Sequence, residues 1–484
     1  MEINPFAPAT ELLHRLRGGK VSCRELLEAC LERIERHNPG LNAVVTLDAA
    51  RARGRADAAD VRRGGGGAVG ALHGLPATIK DSFETAGMRT TCGAPIYSQH
   101  LPVENADAVH RLEGAGTVIF GKTNVPIHAG DLQSYNVLFG VTNNPWDASR
   151  TCGGSSGGAC AAVSAGLTTF ELGSDIGGSI RIPAHFCGVY GHKPSYGAIP
   201  LRGHIPPAPG SLSVTDMAVA GPIARSADDL ALLFGVLTDA RGRIVPGWKP
   251  VLPEPRARRL QDFRVALWLD DSALPVDDEV TAAIHRTVHG LRQAGARVDE
   301  TARPEITLAE NFDDYLGLLW PATTAQLGER AFARVQEAGR GTDADSVHAR
   351  LARYSGARHR DWLRLNEKRE GIRAKWRDFF ERYDVLICPV GPVCAFVHDQ
   401  SDELIARSIV VNGKRRWYWE QLAWIALATL AYLPATVAPI GRSPGELPVG
   451  MQIIGPYFED RTCIEFAKLL ADVAGGFEAP PGFA

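Results

Sequence analysis

Gly173-Ser174-Asp175-Ile176-Gly177-Gly178-Ser179-Ile180-Arg181-Ile182-Pro183 follows a strand predicted over Leu167 to Leu172. Its glycines let the backbone turn several N–H groups toward one point. Such a cluster can stabilise a developing oxyanion, and Ser179 stands at its end, where a nucleophile and those donors would meet. Alone, the stretch reads equally well as a glycine-rich turn.

Two further segments change the weighing. Lys80 follows the apolar, strand-like Pro76-Ala77-Thr78-Ile79 and precedes Asp81. The chain holds only nine lysines, so one in an apolar setting draws notice. A lysine acting as a base must be neutral, and burial and nearby positive charge favour that form. Taken singly, a paired surface lysine is the blander account. The second segment, Gly153-Gly154-Ser155-Ser156-Gly157, fits the Gly-x-Ser-x-Gly elbow of α/β-hydrolases. That elbow must follow a buried strand, whereas Asn143 to Thr151 is polar, turn-prone and contains Pro145. Downstream histidines leave a Ser155 triad open. Gly116-Thr117-Val118-Ile119-Phe120-Gly121-Lys122-Thr123 also matches a phosphate-binding loop, but its middle residues read as a strand and Pro126 soon follows, which the loop does not tolerate.

Together these residues resemble the amidase signature family, whose serine- and glycine-rich pattern runs almost unbroken from Cys152 to Pro194. The resemblance extends through Gly121 to Asn124, Asn144 to Asp147, Gly221 to Ser226 and Pro448 to Gly455, and is weakest from about 240 to 420. It implies a single α/β/α domain around a large twisted mixed sheet. It also implies a catalytic triad of Lys80, Ser155 and Ser179, with oxyanion N–H groups from Ile176, Gly177, Gly178 and Ser179. Ser156, Asp175 and Arg181 would support the site, and a cis peptide is expected at Ser155. Neutral Lys80 would take a proton from Ser155, Ser155 one from Ser179, and Ser179 would attack an amide carbonyl. No metal or cofactor is expected.

Ile176 stands where many bacterial members have threonine. Val125-Pro126-Ile127-His128-Ala129 replaces a Met-x-Glu-Phe type of segment, and Ala428 to Tyr432 replaces an Asn-x-x-Gly segment; both are expected to border the pocket. His128 and Gln133 are candidate polar substrate contacts. Phe312, Tyr315, Trp320, Trp417, Tyr418 and Trp419 are candidate aromatic ones, with core packing as the competing account.

The remaining chain sets the frame. Ser22 and Glu25 form a capping box before a helix expected to reach about His37. Residues 1–62 read as a helical N-terminal segment packed on a catalytic domain spanning 63–484, with Arg62 to Gly67 as connector. The stretch Ala108 to Gly235 alternates β-branched runs with helical patches such as Ala159 to Ala165, the rhythm of an α/β layer fold. Further strands are predicted at Phe263 to Trp268, Tyr383 to Pro389 and Pro434 to Ile440, and a helix over Asp278 to Ala294. Loops are predicted at Pro200 to Gly210 and Val245 to Pro255. A mainly helical, substrate-side region covers about 305–425 and carries six of the nine tryptophans.

A formal charge of −3, without long runs of either sign, points away from nucleic acid and anionic membranes. No apolar run approaches the roughly 18 residues of a membrane span, and the opening residues lack signal-peptide character. Nine scattered cysteines show no zinc or disulfide spacing and are expected to be reduced and mostly buried. A cytoplasmic enzyme acting on small amides (aryl amides, carbamates or amino-acid amides) is the leading expectation, with a homodimer as its assembly. Beside it stand the glutamine-hydrolysing component of an amidotransferase, an α/β-hydrolase-type esterase using Ser155, and a silent scaffold that keeps the fold.

Overall fold

A computed structural model describes residues 3–66, 68–239, 251–325, 327–344, 346–401 and 403–483. An eleven-stranded mixed sheet runs through these residues, flanked by helices. Its spatial order is Val44–Leu47, Val118–Thr123, Pro76–Lys80, Glu171–Asp175, Val219–Ala224, Tyr190–Lys193, Ala435–Arg442, Pro448–Ile454, Val385–Pro389, Arg264–Leu267 and Arg297–Asp299. The Pro76–Lys80 strand is parallel to both of its neighbours, and the strands from Val219 to Val385 pair antiparallel. The central strands Pro76–Lys80, Glu171–Asp175 and Val385–Pro389 are buried at every residue. This explains why Pro76 to Ile79 and Val385 to Pro389 read as largely apolar runs with little alternation, whereas Glu171–Asp175 buries polar residues as well. Residues from both halves of the chain thus complete one sheet, as expected of the C-terminal strands.

The N-terminal segment is not purely helical. Helices Ala9–Arg17 and Cys23–Leu41 are followed by Val44–Leu47, an edge strand of the main sheet paired with Val118–Thr123. The capping box is present: Ser22 Oγ accepts from Glu25 N–H at 3.0 Å, and Glu25 accepts from Ser22 N–H at 2.8 Å. The helix passes His37 and contains Pro39, and its end is turned by Asn38, whose side-chain oxygen accepts from the N–H groups of Ala43 and Val44. The expected connector at Arg62 is also helical, because Ala49–Gly64 forms one helix; Gly67 lies outside the described residues. The strand expected from Leu167 begins only at Glu171. Before it, Thr168 and Thr169 use their hydroxyls on Phe170 and Pro76 carbonyls, which fixes a bend.

The 305–425 region holds the helices Leu308–Thr324, Glu329–Ala338, Val347–Ser355, His359–Arg382 and Leu422–Leu430. It also contributes the sheet strand Val385–Pro389 and the hairpin Ser408–Val411 with Lys414–Trp417. The Val245 to Pro255 loop is described only from Val251. All nine cysteines are buried and unpaired. Among the described residues, no helix is long and apolar enough to cross a membrane.

Candidate active site

Lys80 ends a central strand and is wholly buried. Its Nζ lies 2.8 Å from Ser155 Oγ and 2.9 Å from Ser174 Oγ, so the amine meets hydroxyls on two sides. Burial pushes its pKa down to about 8, against the pull of the more distant acidic groups around it. Ser155 follows a cis peptide from Gly154. Gly154 is pressed so closely by the Asp131–Gln133 backbone that an added Cβ would stand 2.6 Å from Gln133 N. Glycine is therefore required there. The following helix, Gly157–Ser164, is buried at every position.

The Ser179 loop is joined to this segment through its backbone. Ser156 N–H donates to the Ser179 carbonyl at 3.0 Å, and Ser156 Oγ donates to the Ser174 carbonyl at 3.3 Å. Asp175 organises the loop: its carboxylate accepts from Gly178 N–H and Ile180 N–H, both at 3.1 Å, and from Arg181 Nη2 at 2.7 Å. Burial raises the Asp175 pKa, but the Arg181 guanidinium and the N–H donors outweigh it and hold the carboxyl below its ordinary value. Arg181 is itself fixed by the Ile425 carbonyl, Gln452 and Thr429. Gly178 has φ +77°, a backbone that glycine adopts without strain.

Lys80, Ser155, Ser156, Asp175, Gly178, Ser179 and Arg181 are thus gathered into one buried cluster, with Ile176 and Gly177 partly exposed at its edge. One detail differs from expectation. The Gly178 N–H is directed at Asp175, so the loop donors not engaged with another described residue are those of Ile176, Gly177 and Ser179. Tyr315, on the helix Leu308–Thr324, donates its hydroxyl to the Ile176 carbonyl at 2.8 Å. An added Cβ on Gly177 would meet only the Tyr315 hydroxyl at 3.7 Å and Leu422 at 3.8 Å, which marks these two residues as a wall beside the loop.

The expected polar substrate contacts fare differently. Both ends of the Gln133 amide are bound to the Asp399 backbone, at 2.6 and 3.0 Å, so its polar atoms are committed to holding a loop. His128 packs edge-on against Tyr97 in a short turn, and no contact ties it to the serine cluster among the described residues. Trp417 packs with Phe312 and Trp320, one ring centroid 6.4 Å from each, and its indole N–H donates to the Ile405 carbonyl. Trp419 lies edge-on to Tyr418. Phe312 and Trp320 share their helix with Tyr315, while Trp419 is partly buried against the core.

Sequence reasoning missed two residues. Ser174 lies inside the glycine-rich motif, yet only the structure shows its hydroxyl on Lys80. His204, in the Pro200 to Gly210 loop, carried no local signal; its Nε2 lies 2.8 Å from Ser174 Oγ. The phosphate-loop match fails on geometry, since Gly121, Lys122 and Thr123 lie in a strand and Lys122 is buried on the Phe83 carbonyl and the Thr85 and Thr90 hydroxyls. The elbow match fails likewise: Asn143 and Arg150 form isolated bridges, and no strand leads into Ser155. Among the described residues, no cluster of three or more His, Cys, Asp or Glu is placed to hold a metal ion.

The amidase family model matches residues 25–464. The chain is 32% identical over 474 residues to an indoleacetamide hydrolase of Bradyrhizobium diazoefficiens, covering 96% of this chain and 86% of that protein. It is 33% identical over 477 residues to a glutamyl-tRNA(Gln) amidotransferase subunit of Chromohalobacter salexigens, covering 93% of each. In fold it is similar to a bacterial aryl acylamidase of the amidase signature family, with a TM-score of 0.80 at 24% identity over 97% of this chain and 96% of that one.

Proposed function

This chain belongs to the amidase signature family and is a hydrolase of amide C–N bonds, and from that premise we propose that Ser179 is its nucleophile, Ser155 the proton relay and Lys80 the base. The observation that carries this reading is the buried Lys80 Nζ at 2.8 Å from Ser155 Oγ, with its pKa pushed down to about 8. Neutral Lys80 accepts the Ser155 proton as Ser155 accepts that of Ser179, and the Ser179 oxygen forms a bond to the amide carbonyl carbon. The N–H groups of Ile176, Gly177 and Ser179 face the developing oxyanion. The proton then passes back through Ser155 to the departing amine as the C–N bond breaks. The resulting ester on Ser179 is hydrolysed by water along the same relay.

For substrate we propose small amides with an aryl or other bulky apolar group. The wall of Tyr315 and Leu422 beside Gly177 supports this, as does the cluster of Phe312, Trp320 and Trp417 around the same helix. The relation to an indoleacetamide hydrolase points the same way. A second reading, the glutamine-hydrolysing component of an amidotransferase, is favoured by the relation to glutamyl-tRNA(Gln) amidotransferase chains. The apolar Val125 to Ile127 segment in place of Met-x-Glu-Phe weighs against it. We further propose a homodimer, and a cytoplasmic location on the strength of nine unpaired thiols, the state favoured by a reducing compartment.

Release of amine from aryl, alkyl and amino-acid amides and from glutamine, by the wild type and by folded Ser179→Ala, Ser155→Ala and Lys80→Ala variants, tests this reading. Loss of activity in all three, with aryl amides preferred over glutamine, is the expected result. Activity that survives Ser179→Ala but not Ser155→Ala would overturn it.

A further inference from the structure

Lys80 has a second neighbour that the relay does not use. Ser174 Oγ lies 2.9 Å from Lys80 Nζ, and on its far side stands His204 Nε2 at 2.8 Å. The other ring nitrogen, His204 Nδ1, lies 2.9 Å from the Pro206 carbonyl oxygen. A carbonyl oxygen can only accept, so Nδ1 carries the proton and donates it. Burial, reinforced by the Lys80 charge, pushes the His204 pKa down to about 3, so the ring is neutral and Nε2 is a bare acceptor. The Ser174 hydroxyl proton is therefore drawn to Nε2, which leaves only oxygen lone pairs facing Lys80.

The consequence falls on the lysine. A neutral amine has two N–H donors and one lone pair, and it meets two hydroxyls here. If Ser174 were free to turn, its proton would compete with that of Ser155 for the lone pair. With the Ser174 proton held by His204, Ser174 can only accept an N–H from Lys80, and the lone pair is left for Ser155. We propose that Ser174 and His204 are a positioning pair, which directs the Lys80 lone pair to the relay serine through a fixed hydrogen-bond chain from the Pro206 carbonyl. This inference rests on the relay proposed above.

The chain is held rigidly enough for the task. His204 is bridged antiparallel to Phe83, its ring lying edge-on to the Phe83 ring with centroids 4.9 Å apart. The flanking backbone bonds run from Glu84 N–H to the Gly203 carbonyl and from Ile205 N–H to the Ser82 carbonyl. The His204 loop is thus tied to the residues that immediately follow Lys80. Ser174 sits in the adjacent Glu171–Asp175 strand, opposite Ala220.

A kinetic double-mutant cycle tests the pair, using amine release from the best amide substrate and the variants His204→Phe, Ser174→Ala and both together. Phenylalanine keeps the ring packing on Phe83 and removes the acceptor. His204→Phe is expected to lower kcat by about 10- to 100-fold with little change in KM, the scale of a misdirected catalytic group. Ser174→Ala removes the acceptor that orients the Lys80 N–H groups and is expected to slow kcat to a similar extent, and the double variant is expected to be no slower than His204→Phe, because the two groups act as one unit. His204→Gln, whose amide oxygen can accept the Ser174 proton, is expected to retain most of the wild-type kcat. Losses that multiply in the double variant, or a His204→Gln enzyme as slow as His204→Phe, would overturn the proposal. If the His204 variants do not fold, Ser174→Ala decides, since wild-type kcat in that folded variant would also overturn it. Lys80→Ala separates the two readings. Activity surviving in Lys80→Ala removes the relay itself, whereas an inactive Lys80→Ala beside a multiplicative cycle removes only the positioning pair.

Discussion

At the scale of single residues, the site depends on groups held in unusual states by their surroundings. Arg181 and Asp175 are fully buried, and the carboxylate also holds the N–H groups of Gly178 and Ile180. Removing one partner of a buried ion pair leaves the other uncompensated, at a cost of about 3–5 kcal/mol. Asp175→Asn is therefore expected to lower the thermal midpoint and to reduce kcat, because the oxyanion loop loses its anchor; a folded Asp175→Asn with wild-type stability and rate would contradict this. Lys80 gives a pH signature. Its base form is the neutral one, so kcat/KM should fall about tenfold per pH unit below about 8 and level off above it. A rate independent of pH down to about 6, in protein that remains folded, would show that no group with this pKa acts as base. The three proposed catalytic positions could be singled out because each lies in a short motif with its glycines or apolar neighbours beside it. His204 was not, because its meaning comes from Ser174 in another strand. Gln133 misled for the same reason, since the Asp399 backbone that occupies it lies far along the chain.

At the scale of elements, local chemistry was a good guide where an element carries its own signal. The helix Cys23–Leu41 shows both reciprocal bonds of its capping box, and Ser22→Ala should cost about 1 kcal/mol, measurable by denaturant unfolding. An unchanged midpoint would mean that the cap contributes nothing. The helix Ala49–Gly64 falls almost wholly within the 1–62 segment read as helical, but its bounds were not marked because its fully buried positions are two alanines, Ala52 and Ala56, too slight a stripe to register as amphipathic. The segment Ala428 to Tyr432 shows how a departure from a family pattern is accommodated. Tyr432 has φ +64°, where glycine is favoured, and it is held there by stacking on Tyr196 with centroids 4.4 Å apart and by the Arg369 guanidinium over its ring. Thr429 in the same segment supports Arg181, so the segment reaches the site through the Asp175 anchor.

At the scale of the molecule, an α/β layer fold followed from the alternation of strand-like runs and helical patches, and the single large mixed sheet from the family resemblance, but the order of strands did not, because register and neighbours are long-range facts. The N-terminal segment illustrates this. Asp229 caps the first helix from far along the chain, accepting from Ala9 N–H and Thr10 N–H, each at 2.9 Å, and from the Thr10 hydroxyl. Arg225, four residues earlier, reaches the Ala7 carbonyl. Asp229→Ala should therefore destabilise the whole protein by about 1–3 kcal/mol, the cost of leaving buried donors unpaired, and still give a single unfolding transition. A separate early transition would show that the first helices melt as an independent unit.

The attacking residue can be located directly. Acid-quenching the wild-type enzyme during turnover of an aryl amide, followed by peptide mapping by mass spectrometry, identifies the side chain that carries the covalent intermediate. The expected result is an acyl group on the peptide bearing Ser179, absent from Ser179→Ala. An acyl group on Ser155 in the wild type would contradict the mechanism and make Ser155, not Ser179, the nucleophile.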